Sequence, residues 1–432
     1  MGAWLGVGMA ASAICWMLRG WVPVRWALVG GVIAASHSEL LAWGHRYDGA
    51  HVAVIGAALL IGASRRFSAC RPARNAVIMV LGTALMAISR PFEGLVLVLF
   101  TAAGIATNAA RNGRSWAAIR LPRTWIAATA VAVPCAALMA WNNGQVTGHP
   151  LRLPYIEYQE TYGYSPLFLW QPLGPPKPYR HQVMQNFYTN LEVYSYRRLK
   201  TLKGFAEFLP SKLRDFSFSV FGCWLPLLPI FLRVWKVPAA RTPLVTIGVL
   251  FGSLLAVPWF ASAYAACAIP SACLVLTVWL RAAQRAMRGR GTPSIFLLVL
   301  IPTGAILNIA GTLQLTALHR KDWAIQRSAI NQKLNRQGGK HLVMVHYASD
   351  HCPLDEWVYN RADIDRASVV WARDLGSKDN EQLATYFGDR QVWMVTPDDP
   401  IVGPRPVPIS AATLRHRPDR LSSELKHDID VR

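Results

Sequence analysis

Charge is what this sequence has least of. Only 16% of its 432 residues are Asp, Glu, Lys or Arg, against roughly 25% in a soluble globular chain. Acidic residues are the scarcer sign, 24 against 45 Lys and Arg, which leaves a net charge of +21. With 53% hydrophobic residues, this shortage excludes an ordinary water-soluble domain and predicts an integral membrane protein. In a soluble chain the positive excess would suggest nucleic acid, but neither an aromatic-Gly RNA-binding signature nor a zinc-finger spacing occurs. Much of the Arg stands in short runs between apolar segments. There it reads as membrane topology and attraction to anionic lipid heads, so membrane lipids are expected partners and nucleic acid is not.

Organised cysteine is missing as well. The seven Cys are Cys15, Cys70, Cys135, Cys223, Cys267, Cys273 and Cys352. They form no CxxC and most lie in apolar segments, which argues against a disulfide framework and a zinc site. No basic n-region precedes the first apolar window, so Met1–Met17 is not read as a signal peptide. P-loop, GxSxG, HExxH and dinucleotide fingerprints are all absent.

What is present is a series of apolar windows, about ten spans. They lie near Ala3–Met17, Pro23–Trp43, Ala50–Ala63, Val77–Ile88, Leu95–Ala106, Trp125–Trp141, Phe216–Leu232, Leu244–Phe260, Ala263–Leu280 and Ile295–Leu313. Every odd-numbered connection is basic: Arg19 and Arg25; Arg65, Arg66, Arg71 and Arg74; Arg111, Arg114, Arg120 and Arg123; Arg233, Lys236 and Arg241; Arg281, Arg285, Arg288 and Arg290. These face the cytoplasm, and the even connections face outward. On this count the N-terminus starts outside, which suggests earlier spans or a start upstream of Met1.

The expected fold is mostly α: a polytopic transmembrane helix bundle with an extracytoplasmic loop domain and a small C-terminal α/β domain. Its parts are N-terminal transmembrane helices over 1–141, the loop domain over 142–215, C-terminal transmembrane helices over 216–313, and an extracytoplasmic α/β domain over 314–432. In the last part a helical period over Asp322–Arg336 and a Gly-Gly break precede strand-like runs at His341–Tyr347, Ser368–Ala372 and Gln391–Thr396. A further helix is expected at Asn380–Phe387. Within the loop domain the expected helix is Gln182–Lys200.

Ser89-Arg90-Pro91-Phe92-Glu93-Gly94 carries an Arg and a Glu between two apolar segments. Pro91 suits a first helical position and Glu93 the positive end of the helix dipole, so one reading is a helix start with Arg and Glu paired. The other is that Arg90 meets an anionic group such as a lipid phosphate. On the same outward side, Arg46 and Asp48 offer a phosphate-binding cation and a catalytic carboxylate, or a capped Asp-Gly turn. Glu39, inside an apolar window, is a further acid. His45 and His51 flank the turn without metal-ligand spacing. The stretch from Trp141 to Tyr155 combines aromatic rings, amides and Arg152, which suits a sugar but also the ordinary interfacial belt. Asp350-His351-Cys352 is read as a surface loop, because adjacent Cys and His face each other poorly and no orienting group is evident.

These stretches resemble a group of bacterial multi-pass proteins placed with the GT-C glycosyltransferases, which use polyprenyl-phosphate sugars. The resemblance is carried by Ser89–Gly94, Val146–Tyr155, Pro166-Leu167-Phe168-Leu169-Trp170, Tyr179-Arg180-His181, Glu356-Trp357-Val358-Tyr359-Asn360 and Ala362-Asp363-Ile364-Asp365. It implies an inner-membrane enzyme that passes a sugar from a lipid-linked donor to a glycan or lipid acceptor outside the cytoplasm. The class carries an essential acid in its first outward loop, as base or metal ligand, so a divalent metal is the one cofactor left open. No such loop follows the first window here, and Tyr47-Asp48-Gly49-Ala50 stands where a Trp-Gly-Gly-like run is expected. Either the chain is N-terminally truncated or the acid is Asp48 or Glu39. On the resemblance, Arg90 and Arg46 hold phosphate, Asp48 or Glu93 acts as base, and Arg152, Tyr155 and Trp170 line the sugar path. The alternative class is a lipid-linked-substrate transporter or a non-catalytic scaffold. A transporter is expected to show inverted halves, and no such symmetry is visible.

Overall fold

The structure, a computed structural model, describes residues 2–44, 49–67, 71–111, 113–227, 237–289, 295–318, 322–400 and 403–409. It is mostly helical, with one small sheet. Two compact units emerge. The first comprises Met1–Pro172 and Ser195–Leu318, the second Leu173–Tyr194 and His319–Arg432. The 142–215 segment is thus shared between them.

The first unit contains α1 (Gly2–Leu18), α2 (Val24–Ala35), α3 (Ser38–Trp43), α4 (Ala50–Phe67), α5 (Pro72–Ser89), α6 (Pro91–Arg111), α7 (Gly113–Arg120), α8 (Pro122–Thr147) and α9 (Pro154–Thr161). Later come α10 (Leu202–Phe221), α11 (Pro238–Leu254), a 3-10 turn over Ser262–Ala268 that leads into α12 (Ile269–Gly289), and α13 (Ile295–Leu318). Among the described residues, five helices are long and apolar enough to cross a membrane: Ala50–Phe67, Pro72–Ser89, Pro91–Arg111, Pro122–Thr147 and Ser262–Ala286. α1 and α2 are apolar but shorter. The Pro23–Trp43 window is broken at Ser36-His37. His37 is fully buried, accepts from the Glu39 N–H to start α3, and places its other ring nitrogen 3.1 Å from the Val220 carbonyl. It is a structural histidine.

Burial orders the bundle. The Ser262–Ala286 span is almost wholly enclosed, whereas α8 shows nearly all of its apolar surface. A soluble unit would not tolerate a helix carrying Trp125, Ile126, Val133, Leu138 and Trp141 all exposed, while hydrocarbon demands no burial of such side chains. Helices α4 and α5 approach through glycine. A Cβ on Gly82 would stand 2.6 Å from the Gly56 carbonyl oxygen, and one on Gly56 the same distance from that of Gly82. Small residues at a crossing let backbones meet where apolar driving force is weak.

The second unit is built on β1 (His341–Val345), β2 (Val369–Arg373), β3 (Gln391–Val395) and β4 (Val407–Pro408), in the order β2-β1-β3-β4. The first three strands are parallel and β4 is antiparallel to β3. All five β1 residues are buried, as a central parallel strand covered on both faces requires. Val343 and Val345 pack with Ile330 and Leu334 of α14 (Asp322–Gln337), together with Trp357 and Trp371. Leu342 and Met344 face Phe387 and Leu383, which belong to and follow α15 (Ser377–Tyr386). The expected helices and strands of the tail are therefore all present within a residue or three of their boundaries.

Candidate functional site

Each residue of Ser89–Gly94 has a distinct job. Arg90 leaves the helical region (φ −140°, ψ 74°) and closes α5, its N–H bonding to the Met86 carbonyl. Pro91 opens α6, a position where its missing N–H costs nothing. Gly94 packs against Met86 so closely that a Cβ would lie 2.7 Å from the Met86 Cβ. Glu93 is buried, only 6% exposed. The Arg90–Glu93 pairing weighed from sequence has no ion-pair contact within 4.0 Å among the described residues. Instead the Arg90 guanidinium lies over the Tyr264 ring, 4.9 Å from its centroid. Its Nε is buried without a hydrogen-bond partner, and its side chain has no hydrogen bond to any described residue.

An aromatic row starts one residue away. Phe92 meets Phe168 at 4.8 Å between centroids, and Phe168 stacks flat on Trp170 at 4.4 Å and 4°. The loop bearing them is fixed by backbone bonds: the Leu169 N–H reaches the Ala256 carbonyl at 2.8 Å, and the Gln171 side chain accepts from the Phe168 N–H. Trp170 remains 64% exposed. Two stretches separated by more than seventy residues, Ser89–Gly94 and Pro166–Trp170, thus form one surface. Gly49, just before α4, adjoins it, since a Cβ there would stand 3.9 Å from that of Ser89. Gly49 has φ +69°, the left-handed turn that Asp-Gly predicts.

The other expected residues divide. Arg46 and Asp48 lie outside the described residues, as do His45 and Tyr47. Arg152 is held by two carboxylates, with Nε 2.9 Å from Glu157 and a terminal nitrogen on Glu160. Its fork is occupied by its own segment rather than presented to a sugar. Tyr155 opens α9 and is 53% exposed. Glu39 sits in the first turn of α3. Half-buried His51 presses on Gly6 of α1, where a Cβ would be 2.1 Å from its ring, and so helps to pack α1 on α4. Among the described residues no three His, Cys, Asp or Glu side chains gather as metal ligands would. Tyr264 is the residue that sequence reasoning missed in this unit. It lies inside a long apolar run, where an aromatic carries no periodic signal.

The second unit has its own cluster at the C-terminal ends of its parallel strands. His346 follows β1 and donates from Nδ1 to the Asp374 carboxylate after β2, at 2.8 Å. Burial would raise Asp374, but His346, the Asn380 amide and the Gly376 N–H outweigh it and hold the carboxyl down to about 2. Glu356 is also held below its ordinary range against burial, by Arg373, the Tyr347 hydroxyl and the Val358 N–H. Glu356-Trp357-Val358-Tyr359-Asn360, one of the stretches carrying the resemblance, is a folding element in this structure. Trp357 is buried, Asn360 bonds both backbone groups of Trp371, and Arg327 spans the Trp357 and Tyr359 carbonyls. His351 is likewise internal rather than superficial. Its Nδ1 is 2.7 Å from Asp398, its Nε2 3.1 Å from the Asp355 carbonyl, and its ring stacks on Tyr347. With both nitrogens engaged it offers no base to Cys352.

Comparison with protein-family models, with curated proteins and with solved structures returns no match to this chain.

Proposed function

We propose that this protein is a membrane glycosyltransferase that moves a sugar from a polyprenyl-phosphate carrier to an acceptor hydroxyl on the outer side of the bacterial inner membrane. The observation that carries this reading is Arg90: a half-buried guanidinium seated on Tyr264, with no hydrogen-bond acceptor among the described residues. A cation left without an acceptor at the end of an apolar span is costly unless a ligand supplies one, and a planar fork suits a phosphate. The row from Phe92 to Trp170 supports a sugar beside that phosphate, because exposed ring faces stack on the C–H face of a pyranose. In the reaction the acceptor oxygen attacks the anomeric carbon, the bond from that carbon to the phosphate oxygen breaks, and the lipid phosphate leaves against Arg90. The acceptor proton passes to a carboxylate, Glu93 or Asp48. The reading includes the ten-span arrangement with basic connections inside and the Asn142–Asp215 segment and tail outside.

The test is binding and transfer in nanodiscs. A polyprenyl phosphate should bind the native protein saturably. Arg90→Ala should weaken binding by about 2–3 kcal/mol, the cost of removing a charge-assisted hydrogen bond from a desolvated phosphate. Arg90→Lys should recover only part of it, because an ammonium has no planar fork. Unchanged binding and transfer in Arg90→Ala would overturn the assignment.

A further inference from the structure

A crevice opens in the second unit at the C-terminal ends of β1 and β3. In the order β2-β1-β3-β4, the chain leaves β1 towards β2 and leaves β3 towards β4, on opposite sides. Ligands of open α/β sheets bind at this divergence. The crevice has a volume of about 370 Å³, within the roughly 300–1,000 Å³ of small-molecule sites. Trp323 and Gln326 of α14 line it, with Trp357, Asp350 and Asp355 from the loop after β1 and Asp398 from the loop after β3.

One wall is fixed and the other is open. Asp398 is committed to the wall, accepting from the Ala348 N–H at 2.9 Å and pairing with His351, which also holds the Asp355 carbonyl. Gln326 and Asp350 are exposed and carry no hydrogen bond to any described residue. No Lys or Arg lines the crevice, so a phosphate or carboxylate ligand would meet carboxylates with no Lys or Arg to offset them. The ligand must therefore donate hydrogen bonds to the carboxylates, both give and take at the Gln326 amide, and offer an apolar face to the indoles. An alkylammonium meets the first and last demands but has no acceptor for the amide N–H. A ring bearing several hydroxyls meets all three.

We propose that this crevice binds a neutral saccharide, gripped by Gln326 and Asp350 and stacked on Trp323. The inference stands on the second unit alone and does not depend on the transfer reaction proposed above. The experiment uses the full chain in nanodiscs without any lipid-linked donor. Saturation-transfer NMR would be run with methyl glycosides and disaccharides of the common hexoses, pentoses and N-acetylhexosamines, with tetramethylammonium and inorganic phosphate as further probes. At least one saccharide should bind saturably, and Asp350→Asn and Gln326→Leu should each weaken it about tenfold or more, the cost of one charged or amide hydrogen bond in the site. Both positions are exposed, so these variants fold even where Trp323→Ala does not. No saturable saccharide in the panel, saccharide binding indifferent to both variants, or tetramethylammonium or phosphate binding in place of saccharide would each overturn the proposal.

Discussion

Acidification from pH 6.5 to 4.5 should leave the stability of the second unit nearly unchanged, because two of its groups titrate against each other. Burial pushes the Glu192 carboxyl up to about 7. Burial, helped by Arg373 and partly opposed by Glu356, pushes His181 down to about 4. Between pH 4.5 and 6.5 the folded chain therefore keeps a proton on Glu192 that the unfolded chain has released. It also lacks a proton on His181 that the unfolded chain has taken up. By linkage, the Glu192 contribution makes stability fall as pH rises from about 4.5 to 7, and the His181 contribution makes it rise from about 4 to 6.5. Each has a limiting slope of about 1.4 kcal/mol per pH unit. Both side chains are only half-buried, and halving for solvent screening leaves roughly 1.4 kcal/mol over two pH units, tenfold in an opening equilibrium. Single variants should separate the two. His181→Asn keeps an acceptor for the Val183 N–H that His181 now caps, and should leave a unit whose protection falls about tenfold from pH 4.5 to 6.5. Glu192→Gln should gain about as much over the same interval. The assay is native-state hydrogen exchange on the full chain, corrected for intrinsic rates, on peptides covering His341–Val345 and Val369–Arg373. Slopes of the same sign in the two variants would refute the reasoning.

Other perturbations follow from individual interactions. Tyr347→Phe removes a hydroxyl that donates to Glu356 and accepts from the buried Trp357 N–H. It should cost the second unit about 2–4 kcal/mol, read as weaker protection in the same peptides. Gly82→Ala should lower the melting temperature of the purified bundle, since its methyl would meet the Gly56 carbonyl and overpacking costs about 1–3 kcal/mol. Arg152→Ala breaks two exposed ion pairs, each worth about 1 kcal/mol or less. It should leave polyprenyl-phosphate binding intact where Arg90→Ala does not, and equal weakening in both variants would contradict the separation drawn between these arginines.

The helix start at Pro91 was legible because it depends on neighbours alone: a ring that fixes φ and an acid at the third helical position. Trp170 was legible only through the resemblance, since its stack on Phe168 and the link onward to Phe92 join stretches distant in sequence. Arg152 misled for the same reason in reverse. Its composition suits a sugar, but α9 folds Glu157 and Glu160 back onto it. His351 looked superficial because its neighbours are polar, while Asp398, which pins it, comes from the loop after β3, 47 residues on.

The sequence by itself determined that this chain is rich in apolar helices, where α6 begins, and that the tail holds short strands and helices of a small α/β domain. Hydropathy windows, proline and strand-length apolar runs are local quantities, and local quantities survive in one dimension. Tertiary structure alone decided that Arg90 has no hydrogen-bond acceptor among the described residues, which of the described histidines are already bonded and where a crevice opens. Those outcomes depend on hydrogen-bond partners that meet only after helices and strands from separate parts of the chain have packed.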